Sequence, residues 1–239
     1  MHEICSSEAY PALLISLNHA LFILDRTVIG LRCKDGVVLA VEKLIISKLL
    51  VEGSNRRIYN VDRHAGVATA GLAPDGRMVV NRACDEASNY KKFYGEAIPG
   101  HVLCDRVASY VHMFNLYWSF RPYGSTLLVG TYDASAGPQL HVIDPSGNSF
   151  RFFGAAVGKG RQLARNEIEK LKLSEMTCRE AVVEAAKILH RVHDEESKPF
   201  EIEMTWICDE SGKEHQKVPK DIFDAAISAA KQAAMDLDD

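Results

Sequence analysis

RTVIGLRCKDGVVLAVEKL, residues 26–44, consists of two short apolar runs hinged on Lys34, Asp35 and Gly36. The second run, GVVLAVEKL, is rich in β-branched residues, and RRIYNVDRHAGVATAGL, residues 56–72, adds strand-like stretches around Asp62 and Arg63. Four strands therefore open the fold.

Beyond them the apolar period changes. From Pro74 to Gly95, and again from Pro99 to Phe120, apolar residues recur at spacings of three and four, as at Val107, Tyr110, Val111, Phe114 and Tyr117. That period predicts two helices, each opened by a proline. RPYGSTLLVGTYD (121–133), PQLHVIDPSGN (138–148) and SFRFFGAAVG (149–158) return to strands as an antiparallel meander, with Asp144-Pro145-Ser146-Gly147 as its turn. A third helix follows in GKGRQLARNEIEKLKL (158–173). MTCREAVVEAAKILHRVH (176–193) is a fourth, with Thr177 and Glu180 spaced as a capping box. FEIEMTWIC (200–208) and EHQKV (214–218) read as late strands, and PKDIFDAAISAAKQAAM (219–235) as a last helix.

Strands in sets, helices in pairs and strands again point to an α+β fold with antiparallel sheets and segregated helices, not to a parallel α/β sheet. The simplest packing stacks two sheets face to face and covers both outer faces with helix pairs. Without a low-complexity linker or internal repeat, one domain is expected over 1–239. It divides into a leading segment at 1–25, a core at 26–235 and an acidic end at 236–239.

The net charge is −4, and no Lys/Arg run exceeds a pair, so neither a nucleic-acid footprint nor a polybasic membrane patch is expected. The six cysteines, at 5, 33, 84, 104, 178 and 208, never form CxxC. They read as reduced, buried thiols in a cytosolic or nuclear protein. Residues 11–24, PALLISLNHALFIL, have no preceding Lys or Arg and fall short of the roughly 20 residues a membrane span needs. Leu13, Leu17, Leu21 and Leu24 recur at helical spacing instead, as in a buried amphipathic helix.

Motifs for catalysis fail one by one. GAAVGKGR, 154–161, has three residues between its glycines where a phosphate loop has four, and Gly160 stands where Ser or Thr should follow the lysine. His190 and His193, with Asp194, Glu195 and Glu196, sketch metal ligands, but nothing converges on them, and a solvated helix end explains them better. Asp35, Glu42 and Asp62 are carboxylates near strand ends, equally consistent with turn and edge placement. Neither GxSxG nor HExxH occurs, and no cofactor or metal is expected.

TVIGLRCKDGVVLAVEKLIISKLLVEGSNRRIYNVDRHAGVATAGL, RPYG, DPSGN and GKGRQLARNEIEKL nevertheless resemble proteasome alpha-type subunits, in order and over about four fifths of the chain. The resemblance implies a four-layer αββα sandwich of the N-terminal-nucleophile hydrolase type. In the catalytic beta relatives an N-terminal threonine attacks, assisted by its own amine, a carboxylate and a lysine. By resemblance those places fall here on Arg26, Glu42 and Arg57, with Thr27 one residue late and Asp25 in place of the processing glycine. Arginine cannot attack a carbonyl, so a noncatalytic subunit is expected.

The resemblance further implies a seat in a heptameric alpha ring beside subunits of alpha type-1 and type-6, and contacts with the beta ring. Activators or a regulatory particle would dock through a tail pocket that falls on Arg57, Gly71 and Leu72, in cytoplasm and nucleus. Ring assembly, substrate gating and activator docking, in ubiquitin-dependent and ubiquitin-independent degradation, are the implied duties. Residues 1–25 carry none of the family's Tyr-Asp or Ser-Pro-Asp/Glu-Gly-Arg gate wording. The alternative is a free-standing binding module, or a variant kept out of the ring by that segment.

Overall fold

The computed structural model describes residues 26–45, 47, 49–51, 53–117, 119–193 and 199–238. The leucine stripe at 13–24 lies outside the described residues. Four strands come first, β1 (Val28–Arg32), β2 (Gly36–Leu44), β3 (Ile58–Asp62) and β4 (Ala65–Gly71), then α1 (Ala73–Tyr94) and α2 (Gly100–Leu116). Strands β5 (Ser125–Asp133), β6 (Gly137–Ile143), β7 (Ser149–Phe152) and β8 (Gly154–Val157) lead to α3 (Arg161–Glu169) and α4 (Cys178–Val192). The described chain closes with β9 (Phe200–Cys208), the two-residue β10 (Gln216–Lys217) and α5 (Lys220–Asp238).

The strands form two antiparallel sheets, in the orders β10-β9-β2-β1-β8 and β3-β4-β5-β6-β7. Alternation within each strand sorts side chains into layers. In the first sheet, Val28, Val37, Leu39 and Val41 face Ala68, Ala70, Leu128 and Leu140 of the second, forming the core between the sheets. Ile29, Leu31, Val38 and Ala40 point the other way, under Ala181, Val182, Ala185 and Leu189 of α4 and Ala226 and Ala230 of α5. On the far side Val67, Leu127, Val129 and Ile143 meet Val79, Ala83, Val107 and Val111 of α1 and α2. Both faces of the central strands are thus dry, which explains why β1 and β2 read as continuous apolar runs. The α+β sandwich read from the sequence is the fold observed.

Several boundaries differ from the expected ones, α3 for instance being confined to Arg161–Glu169, and three have clear causes. SFRFFGAAVG is not one strand: β7 pairs with β6, whereas β8 pairs with β1 in the other sheet, and the chain crosses between them at Phe153. The second helix ends at Leu116 because Tyr117 turns extended, at φ −109° and ψ 126°, so that Tyr117 and Phe120 pack edge to face. EHQKV shrinks to β10 because His215 turns inward onto Asn60 and Thr205. The capping box forms as expected: the Thr177 N–H donates to the Glu180 carboxylate at 2.8 Å, and the Glu180 N–H donates to the Thr177 hydroxyl.

Candidate functional site

The place that the family resemblance gives a nucleophile is the entry to β1. Thr27 is 1% exposed there. Its hydroxyl accepts the Gly160 N–H at 3.2 Å, its carbonyl accepts the Glu42 N–H at 3.0 Å, and its own N–H reaches the Glu42 carboxylate at 3.4 Å. The other Glu42 oxygen lies 2.7 Å from Nδ1 of His193, whose ring stacks on Phe200 at 4.0 Å between centroids. His193, expected on a solvated helix end, is therefore tied down just past α4.

The glycines of GAAVGKGR close this corner. At φ +102° Gly158 adopts backbone that side-chain-bearing residues avoid, and a Cβ there would lie 2.0 Å from the Arg26 carbonyl oxygen. A Cβ on Gly160 would meet Val192 of α4. The run that mimics a phosphate loop thus lets β8, α3 and α4 close over residues 26 and 27. A hydroxyl so buried, and already accepting a backbone hydrogen bond, has no approach to a substrate carbonyl. Glu42, for its part, is engaged by Thr27 and His193.

A second constellation lies where β4 passes into α1. Arg57 is 7% exposed, and its Nη1 donates to the Gly71 carbonyl at 2.8 Å. Gly71 has φ +105°, the Leu72 N–H donates to the Gly124 carbonyl at 2.9 Å, and the Leu72 side chain is exposed. The three residues singled out in the sequence therefore meet at one turn. Asp75 supports it from the first turn of α1. Its carboxylate takes two hydrogen bonds from Arg121, at 2.6 and 2.7 Å, and one from the Gly124 N–H at 2.8 Å. Burial alone would raise the Asp75 pKa, but Arg121 and the Gly124 N–H outweigh it and hold the carboxyl below its ordinary value. Sequence reading passed over this pair; an acid in a first helical turn was its only local signal.

Large apolar side chains stay exposed along one helix layer and one sheet edge. Met78, Phe93 and Tyr94 belong to α1, Met113 and Leu116 to α2, and Tyr117 and Phe120 follow it, while Phe150 and Phe152 lie on the edge strand β7. Such surfaces mark contacts with other proteins.

The family model described as proteasome subunit matches residues 25–207. The chain belongs to the proteasome subunit family. It is 59% identical over 213 residues to proteasome subunit alpha type-3 of Spinacia oleracea, an alignment covering 89% of this chain and 85% of the relative. The Arabidopsis thaliana protein of the same name is 58% identical with the same coverage, and that of Drosophila melanogaster 44% identical over 89% of this chain and 84% of its own. Membership as an alpha-type subunit implies assembly with other proteasome subunits.

Proposed function

We propose that this chain is a noncatalytic member of a heptameric alpha ring in the proteasome core, flanked by subunits of alpha type-1 and type-6 and stacked on a beta ring. The closed corner at β1 carries the reading. Arg26 occupies the nucleophile's place, the Thr27 hydroxyl accepts from Gly160, and Glu42 holds Thr27 and His193. The same hydrogen bonds that remove a reactive centre make a rigid joint, which suits a ring member.

Its further duties are substrate gating and the docking of activators or a regulatory particle, in ubiquitin-dependent and ubiquitin-independent degradation, in cytoplasm and nucleus. The tail pocket centres on Arg57, Gly71 and Leu72. An activator's terminal carboxylate pairs with the guanidinium as that group shifts from the Gly71 carbonyl.

The test is a pull-down of the tagged chain from its own cells, sized by native mass spectrometry, with peptide hydrolysis assayed on the same fractions. A multi-ring particle containing this chain at unprocessed mass, with hydrolysis traced to other subunits, is expected. A chain that elutes alone, shortened and active would overturn the reading; alone, intact and inert would make it a free-standing module. Arg57→Ala in the purified particle should weaken stimulation by activators with C-terminal tails while basal hydrolysis holds, and microscopy of the tagged chain should show both compartments.

A further inference from the structure

Three cysteines from distant parts of the sequence meet at one end of the first sheet. Cys33 follows β1, Cys208 ends β9, and Cys178 is the first residue of α4, which packs on that sheet. The hinge read first in the sequence brings them together. The Cys33 N–H donates to the Gly36 carbonyl at 2.7 Å, and Gly36 pairs across the ladder with Cys208. A Cβ on residue 36 would lie 2.7 Å from the Cys208 Cα, so only glycine permits this approach. Cys33, Cys178 and Cys208 pack together in one buried cluster.

Asp35 completes the group. A carboxylate oxygen of Asp35 and the sulfurs of Cys33 and Cys178 all lie within 4.8 Å of one another, the one such convergence of metal-ligating side chains among the described residues. The three thiols are buried and Asp35 is half-buried, offering an entry from solvent. Asp35 Oδ1 also accepts the Cys178 N–H at 2.9 Å, which aims the carboxylate at the sulfurs.

The turn beside the cluster is held in place. The Cys208 N–H donates to the Ser211 hydroxyl oxygen at 3.0 Å and the Cys208 carbonyl accepts the Ser211 N–H at 3.1 Å, and Cys178 lies in the first turn of α4, where the helix dipole suits a thiolate. An Arg179 to Glu210 ion pair at 2.7 Å closes the turn on the outside.

We propose that Cys33, Cys178 and Cys208, with Asp35 as fourth ligand, hold one thiophilic divalent ion of the zinc class that ties β1, β9 and α4 together. Tetrahedral zinc takes sulfur at about 2.3 Å and carboxylate oxygen at about 2.1 Å, which places neighbouring ligand atoms about 3.5–3.8 Å apart. The donor atoms of Cys33, Asp35 and Cys178, within 4.8 Å of one another, close in by about 1 Å to reach that size. Each coordinating thiol gives up its proton to solvent on binding, so no electron is transferred and no other reactant is needed.

The experiment titrates the full chain, reduced with a phosphine, with Cd2+ against a competing chelator, reading the thiolate-to-cadmium ultraviolet band and the melting temperature. Expected are one Cd2+ per chain, displacement of the band by Zn2+, and a melting temperature that rises with metal. The band should vanish in Cys178→Ala and in Cys208→Ala, bind about tenfold more weakly in Asp35→Asn, and persist in Cys5→Ser and Cys104→Ala. Far-ultraviolet circular dichroism identifies which variants fold, and either of the two cysteine variants that folds decides. Absence of the band from the parent chain, failure of Zn2+ to displace it, or its survival in a folded Cys178→Ala or Cys208→Ala variant overturns the proposal.

Discussion

His215 offers a quantitative test of how the two sheets are joined. It lies in the turn between β9 and β10, 5% exposed. Its Nε2 is 2.8 Å from the Thr205 hydroxyl on β9, its Nδ1 bonds the Asn60 side-chain oxygen on β3, and its own N–H donates to the Arg63 carbonyl at 2.6 Å. One imidazole thus spans both sheets. In the neutral ring, Nδ1–H donates to Asn60 and Nε2 accepts from Thr205, so every polar atom is satisfied. Burial pushes its pKa from the ordinary 6.5 down to about 4.

The sign follows from that direction. Above pH 6.5 the ring is neutral whether the chain is folded or not. As pH falls below 6.5 the unfolded chain binds a proton that the folded chain refuses, and stability is lost until the folded pKa of about 4 is reached. At about 1.4 kcal/mol per pH unit the loss amounts to about 3 kcal/mol. Carboxylates titrate over part of this range, so the measurement is a difference: urea unfolding of the parent chain and of His215→Gln, at a series of pH values from 7.5 downward. The stability gap between them should shrink by about 3 kcal/mol toward pH 4, with most of the change below 6.5. A gap that stays constant, or widens on acidification, would refute the buried neutral imidazole.

Other expectations follow from single contacts. Gly66→Ala places a Cβ 2.3 Å from the His215 ring, and overpacking should cost about 1–3 kcal/mol. Adding His215→Ala should recover part of it, a coupling of at least about 0.5 kcal/mol in a double-mutant cycle. Asp75→Asn removes the charge-assisted pair with Arg121 and should lower stability by about 1.5 kcal/mol, the low end for such bonds because Arg121 is more than half exposed. Since the Asp75 carboxyl sits below its ordinary value of 3.8, its contribution persists above that pH and is lost only as pH falls through the lower folded value; acid unfolding curves compared with the variant check this. Thr177→Ala opens the capping box of α4 and should cost about 1 kcal/mol in thermal melts.

What sequence reading recovered was local. The β-branched runs of β1 and β2, the three-and-four spacing through α2 and the Thr177 to Glu180 box are patterns within single elements, and each element formed, α2 ending short at Leu116. What it missed depended on partners far along the chain. Nothing in SFRFFGAAVG announces that Phe152 pairs with Leu140 while Gly154 pairs with Leu31 of the other sheet, because those partners lie on other strands. The inward turn of His215 depends on Asn60, 155 residues away, and Asp75 finds Arg121 across 46 residues. The Arg57 to Gly71 turn was reached through family resemblance, not through periodicity, for the same reason.

The glycines near β1 show how one structural demand produced two misleading signals. GAAVGKGR looks like a phosphate loop because its glycines are spaced almost as that loop requires. Yet a Cβ at 158 would strike the Arg26 carbonyl, and one at 160 would strike Val192. Their small size serves chain-on-chain contact, and the Gly160 N–H, which a phosphate loop would offer to an anion, is given to the Thr27 hydroxyl. That single bond answers both readings: it takes a donor from the apparent phosphate site and occupies the hydroxyl next to the place that the resemblance gives a nucleophile. Thr27→Val tests it, since removing the acceptor leaves a half-buried N–H unsatisfied. Stability should fall by about 1–3 kcal/mol, Thr27→Ser should restore most of it, and hydrolysis by the assembled particle should not change. A drop in hydrolysis at unchanged assembly would instead make Thr27 a working nucleophile and the closed corner a misreading.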